Sequence, residues 1–112
     1  MSDIRFDVAG WPDPDSADEL IRAHTHCAGH RDEILRSQAC GCFSCELVFE
    51  PAIILEWFQE TAGYFATRPD PWTAVCPRCG IDAVIGTASG FPANDPAFLK
   101  AMNLKWFKNA QN

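Results

Sequence analysis

Apolar residues recur on a helical period at three places in the chain, with short strand-like runs between them. Leu20, Cys27, Ile34 and Leu35 fall near one face of a helix over residues 17–37. Ser16 and Glu19 have the spacing of a capping box at its start. Gly29 lies inside that stretch and weakens it by about 1 kcal/mol relative to Ala, so a bend or break is expected there. Leu47-Val48-Phe49 reads as a short strand. Glu50-Pro51 opens a predicted second helix over 51–62, because Pro is tolerated at the first helical position. Its apolar face is Ile53, Ile54, Trp57 and Phe58, and Gly63 is its stop. Residues 64–71, with Pro69-Asp70-Pro71, read as a loop. Trp72 to Val75 and Ile81 to Ile85 are two further strands, the latter closed by Gly86. Asp95-Pro96 caps a last helix over 96–107 that turns Phe98, Leu99, Met102 and Trp106 inward. Residues 1–15, rich in Asp, Pro and Gly, form an irregular lead-in.

Composition narrows the class. The 112 residues suit a single domain, 1–112, with a modest core. At 47% apolar and 12% aromatic, the chain is too hydrophobic to stay disordered. Nine Lys and Arg against fifteen Asp and Glu leave a net charge of -6, which disfavours non-specific binding to phosphate backbones. Met1-Ser2-Asp3-Ile4-Arg5 lacks the order of a signal peptide, and no apolar run approaches the ~20 residues of a membrane span. A cytoplasmic location with no membrane partner is the expectation. In a reducing compartment, paired cysteines are metal ligands more often than disulfides.

That expectation bears on two Cys-x-x-Cys pairs, Cys42-Phe43-Ser44-Cys45 and Cys76-Pro77-Arg78-Cys79. Two intervening residues let a tight turn aim both sulfurs at one point, with backbone N–H groups spreading the thiolate charge. Pro77 presets the entry to the second turn, and Gly80 accepts the positive φ that completes it. Two such knuckles brought together make a closed tetrahedral site of Cys42, Cys45, Cys76 and Cys79. The predicted ion is zinc. Four thiolates also suit iron, but nothing else in the chain suggests electron transfer. A short strand beside each knuckle completes a zinc-ribbon pattern. The predicted fold class is therefore α+β, a small antiparallel zinc-ribbon-like sheet flanked by about three helices. The ribbon spans 39–86 with an inserted helix, and the C-terminal helix lies within 94–107.

Other residues compete for chemical roles. Cys40 could replace Cys42 as a ligand or bind a second metal, but reads more simply as a neighbouring unliganded thiol; Cys27 reads as a small buried hydrophobe. His26, His30 and Glu33 share one face of the predicted first helix, where His at i and i+4 has metal-ligand spacing. The plainer reading is an ordinary solvated face. His30, ten residues before Cys40, is assigned a structural role, donating N–H to a thiolate or a knuckle carbonyl. Asp82 reads as a turn cap or an arginine partner.

At these residues the chain resembles a family of small, uncharacterised bacterial cytoplasmic proteins. The shared features run from a His-Arg dipeptide through Cys-Gly-Cys-Phe-x-Cys to Cys-Pro-x-Cys-Gly-Ile-Asp-x-Val-Ile-Gly. They close with Ser-Gly-Phe/Tyr-Pro and a helix ending Trp-Phe. The matching positions here are His30-Arg31, Cys40 to Cys45, Cys76 to Gly86, Ser89 to Pro92 and Trp106-Phe107, with Phe49, Pro51 and Trp57 also in place. Two departures stand out: Gln59 to Pro71 reads as an inserted loop, and Ala83 stands where Ser is expected. The resemblance implies a metal site and carries no established activity.

Three functions follow from these residues. The first is a structural zinc domain acting as a binding module, with a protein as partner and nucleic acid disfavoured by the charge. The second is a metal-dependent hydrolase or nuclease using His30 with Asp82 or Glu33. The third is a rubredoxin-like electron carrier, which colour would reveal.

Overall fold

Asp18 caps the first helix, where the sequence spacing had pointed to Ser16. In the computed structural model, which describes residues 15–107, the Asp18 carboxylate accepts from the Leu20 N–H at 2.9 Å. Ser16 sits one step outside, its hydroxyl accepting from the Asp18 N–H at 3.1 Å. The helix that follows, α1, runs only from Glu19 to His24. A second short helix, α2, spans Arg31–Leu35. The single helix expected over 17–37 is thus two helices separated by turns. Gly29 takes a φ of 56°, a left-handed conformation that ends helical geometry. The backbone groups there find partners elsewhere: the Gly29 N–H donates to the Thr73 hydroxyl at 2.8 Å, and the His30 N–H to the Trp72 carbonyl at 2.7 Å.

Those partners lie on β4. The described strands are β1 (Cys40–Cys42), β2 (Val48–Phe49), β3 (Trp57–Gln59), β4 (Trp72–Ala74) and β5 (Val84–Gly86). They form one antiparallel sheet ordered β2-β1-β5 and one antiparallel pair, β3-β4. In the first sheet Cys40 faces Phe49 and Gly86, and Cys42 faces Val84. The last helix, α3, spans Pro96–Trp106 and is capped by Asp95, as its Asp-Pro start predicts. Among the described residues the architecture is α+β, a small ribbon-like antiparallel sheet with three α-helices around it. The lead-in over residues 1–14 lies outside the described residues.

The helix expected over 51–62, and with it the inserted helix of the ribbon, does not form. Pro51–Ile53 makes one 3-10 turn, Ile54 is extended at ψ 122°, and Trp57–Gln59 pairs with β4. Of the four residues assigned to an apolar helical face, Ile54 is buried and Trp57 half-buried, while Ile53 and Phe58 are exposed. Bulky aromatic and branched side chains are at ease in extended backbone, and the Trp72–Ala74 strand supplies the hydrogen bonds a helix would have made internally. Gly63 does not stop a helix. With φ 80° it introduces a 3-10 turn over Tyr64–Thr67 within the long connection from β3 to β4.

Ile34, Val84, Ile85, Leu99 and Met102 have no exposed surface, so α2, β5 and α3 meet in the core. Gly41 allows the closest approach. A Cβ there would collide with the Ala93 carbonyl oxygen and lie 2.7 and 2.8 Å from the two Leu99 methyls. This is why a glycine separates Cys40 from Cys42: β1 must accept the segment leading into α3. Gly41→Ala is expected to lower stability by about 2–3 kcal/mol, the upper part of the range for overpacking. Denaturant unfolding followed by tryptophan fluorescence measures it, and an unchanged midpoint would refute the close approach.

Candidate metal centre

Each cysteine pair sits on a turn built by the same hydrogen bonds. In the first, the Cys42 N–H donates to the Leu47 carbonyl and the Glu46 N–H to the Cys42 carbonyl. In the second, the Cys76 N–H donates to the Ile81 carbonyl and the Gly80 N–H to the Cys76 carbonyl. The residue after each pair has positive φ: 65° at Glu46 and 77° at Gly80. Glu46 therefore holds, at some cost, a conformation its counterpart reaches freely. Position in β1 and the β1–β2 turn fixes the first pair, and the exit of β4 fixes the second.

The two turns face each other. The sulfurs of Cys42, Cys45, Cys76 and Cys79 all lie within 4.8 Å of one another, a cluster that could hold a metal ion. Cys42 Sγ is 3.6 Å from Cys79 Sγ, and Cys45 Sγ is 3.7 Å from Cys76 Sγ. A disulfide would need about 2.05 Å. Four thiolates around a tetrahedral ion at ~2.3 Å would instead be about 3.8 Å apart. All six cysteines are free thiols. Cys42 and Cys76 are buried, Cys45 is half-buried and Cys79 is exposed.

Backbone donors point at the sulfurs. The Arg78 N–H reaches Cys76 Sγ at 3.4 Å, the N–H groups of Cys45 and Ser44 face Cys42, and those of Leu47 and Ile81 face Cys45 and Cys79. Burial pushes the Cys42 thiol well up despite its two donors, and it raises Cys79 as well. At Cys45, burial also acts upward but is outweighed by the Leu47 N–H, Arg78 and the neighbouring sulfurs, which bring it down to about 7. Cys40, buried two residues from Cys42, lies outside the cluster, its thiol pushed up to about 12 by burial alone. Cys27 is buried too, donating to the His24 carbonyl at 2.9 Å.

Two residues brace the site that the sequence did not single out. Asn103 on α3 donates its amide to the Phe43 and Ser44 carbonyls at 2.9 and 3.0 Å, holding the first turn from outside. Arg78 of the second turn donates to the Cys45 carbonyl of the first at 3.0 Å. The only prior sign of Asn103 was a polar residue following Phe98, Leu99 and Met102 on an otherwise apolar helical face.

The histidines fall elsewhere. His26, in the turns between α1 and α2, places Nδ1 3.1 Å from both carboxylate oxygens of Glu33. His30 is buried, and both ring nitrogens are engaged: Nδ1 donates to the His26 carbonyl at 2.6 Å, and Nε2 accepts from the Ala74 N–H at 3.1 Å. It bonds neither a thiolate nor a knuckle carbonyl, contrary to expectation. It reaches the centre indirectly, by pinning β4 two residues before Cys76. With both nitrogens used, it has no lone pair for a metal, so His26, His30 and Glu33 do not form a second ligand set. Asp82 is exposed ahead of β5.

Thr25, His26, Glu33, Arg36, Arg68 and Asp70 are among the residues bounding a cleft of about 390 Å³. None of the four clustered cysteines lines it, so cleft and metal centre are separate features. No family model, curated protein or solved structure matches the chain.

Burial holds the His30 pKa below its ordinary 6.5, against smaller upward pulls from the His26 carbonyl, Glu33 and Asp70. Well above pH 6.5 folded and unfolded chains are both neutral at this residue, and its stabilisation is complete. As pH falls below 6.5, the unfolded chain takes up a proton that the folded one does not, and that contribution declines. His30→Ala is expected to cost about 2–3 kcal/mol at pH 7.5, since it orphans a buried N–H and a partly buried carbonyl. Metal content should not change. Denaturation of both proteins at pH 7.5 and 5.5 should show the gap narrowing at the lower pH; a constant or widening gap would contradict a neutral, buried imidazole.

Proposed function

We propose that the chain is a zinc-binding domain whose closed four-cysteine site is structural, and that it serves as a module for binding another protein. The observation that carries this reading is the convergence of two matched turns on one point, with sulfur separations of 3.6 and 3.7 Å close to the edge of a tetrahedral thiolate site. All four tetrahedral positions are taken by protein sulfurs, which leaves no open place for substrate or water on the ion. Zinc is preferred to iron because nothing else in the chain marks an electron carrier. A reducing, cytoplasmic setting keeps the thiols available as ligands.

A protein partner is favoured by the charge and by the exposed apolar residues. The net charge of -6 opposes nucleic-acid backbones. Among the described residues, no helix is long and apolar enough to cross a membrane. Val48, Ile53, Leu55 and Phe58 are exposed, Leu55 at 86%, around the segment that does not become helical. Apolar groups left in water in this way suit burial against another chain.

Protein purified without chelator is expected to contain one zinc per chain by elemental analysis. Cys42→Ser should lose the metal and the fold together, because apparent zinc-site energies of ~10–16 kcal/mol exceed the stability of a small domain. Less than half an equivalent of zinc, or a red iron protein, would refute the assignment. So would a Cys42→Ser variant that keeps its metal and melting temperature.

A further inference from the structure

Resting on the zinc reading, we propose that Cys79 is an oxidative modification site: its thiolate reacts first with a hydroperoxide, a disulfide forms between Cys79 and Cys42, and the metal leaves. The argument begins with access. Of the four clustered cysteines, Cys79 is exposed, Cys45 half-buried, and Cys42 and Cys76 buried. A zinc-bound tetrathiolate is electron-rich at every sulfur, so the sulfur an oxidant meets is decided by which one solvent reaches. Cys79 occupies that position because it closes the second turn, where Pro77, Arg78, Gly80 and Ile81 are all exposed among the described residues.

The second step is decided by distance. Cys42 Sγ lies 3.6 Å from Cys79 Sγ, and Cys45 Sγ lies 3.7 Å from Cys76 Sγ. At that separation the Cys42 thiolate is placed to resolve an oxidised Cys79. The product links the first turn to the second, unlike the disulfide within one Cys-x-x-Cys pair that sequence spacing alone would suggest. The stoichiometry closes. The Cys79 thiolate displaces hydroxide from the hydroperoxide: an S–O bond forms, the O–O bond breaks, and sulfur gives up two electrons. The Cys42 thiolate then attacks that sulfur: the S–S bond forms and the S–O bond breaks, releasing a second hydroxide. Two thiolates and one hydrogen peroxide become one disulfide and two hydroxides. An ion left with two of its four thiolates dissociates. Cys27 and Cys40, both buried and outside the cluster, serve as internal controls.

The test uses the full zinc-loaded chain and hydrogen peroxide, with zinc release followed by a chromogenic chelator and cysteines mapped by non-reducing peptide mass spectrometry. The expected result is two thiols lost per zinc released, a Cys42–Cys79 linkage, and Cys27 and Cys40 still reduced. Substoichiometric iodoacetamide on the untreated holoprotein gives an independent reading without any substitution. It should label Cys79 at least about tenfold faster than Cys42 or Cys76, because reactivity among ionised thiols follows access. Zinc retained under peroxide that fully oxidises free glutathione would overturn the proposal, as would a Cys76–Cys79 linkage or preferential labelling of Cys45. A chain carrying no zinc before peroxide is added refutes the metal reading itself; a chain that carries zinc and keeps it refutes only the modification site.

Discussion

Four sulfurs held within 4.8 Å of one another bring both ends of the excursion over residues 46–75 to one place. Closing such a loop costs conformational entropy, and the short strands here return little of it: β2 has two residues, and β1, β3, β4 and β5 have three each. The other supports converge on the same closure. Asn103 ties α3 to the first turn, Arg78 ties the second turn to the first, and His30 fastens the strand that delivers Cys76. Of these bonds, the one from Arg78 to the Cys45 carbonyl spans the two turns directly.

The polar interior beneath the centre has the same logic. The Gly29 N–H donates to the Thr73 hydroxyl, and that hydroxyl donates to the Glu60 carboxylate at 2.7 Å. Together with His30, this chain of bonds satisfies backbone groups freed where the first helix breaks. The break between α1 and α2 is therefore part of how β4 is held. Arg31 lies over the rings of Trp57 and Trp72, 5.9 and 4.9 Å from their centroids, and covers the outer pair of strands on the same side. Chemistry and scaffold are divided: the sulfurs gather at the turns, and the histidines and carboxylates set the strand that presents them.

The ligand cluster was legible in the sequence because its signal is local. Cys-x-x-Cys spacing, Pro77 and Gly80 specify a turn that aims two sulfurs together whatever the rest of the chain does. The last helix was legible for a similar reason: Asp95-Pro96 caps it, and Phe98, Leu99 and Met102 keep a helical period that is indeed buried. The helix expected over 51–62 was not a local question. Ile53, Ile54, Trp57 and Phe58 fit a helical face as written, yet the segment extends because Trp72–Ala74 offers it a ladder of hydrogen bonds. Likewise His26, His30 and Glu33 shared a face only on an unbroken helix. The left-handed Gly29 separates them, so one pairs with Glu33 and the other is buried.

By itself the sequence determined that four cysteines would act as one group, that the class would be α+β, and where the final helix would run. Each of these rests on contacts between residues a few positions apart, where turn chemistry and capping act regardless of context. Only the tertiary structure decided which of the four cysteines is exposed, that the middle segment is a strand, and that His30 serves β4. Those outcomes depend on partners tens of residues away, as with the His30–Ala74 bond at 3.1 Å. A hydrogen bond to such a partner outweighs a weak local preference whenever the fold brings the two together.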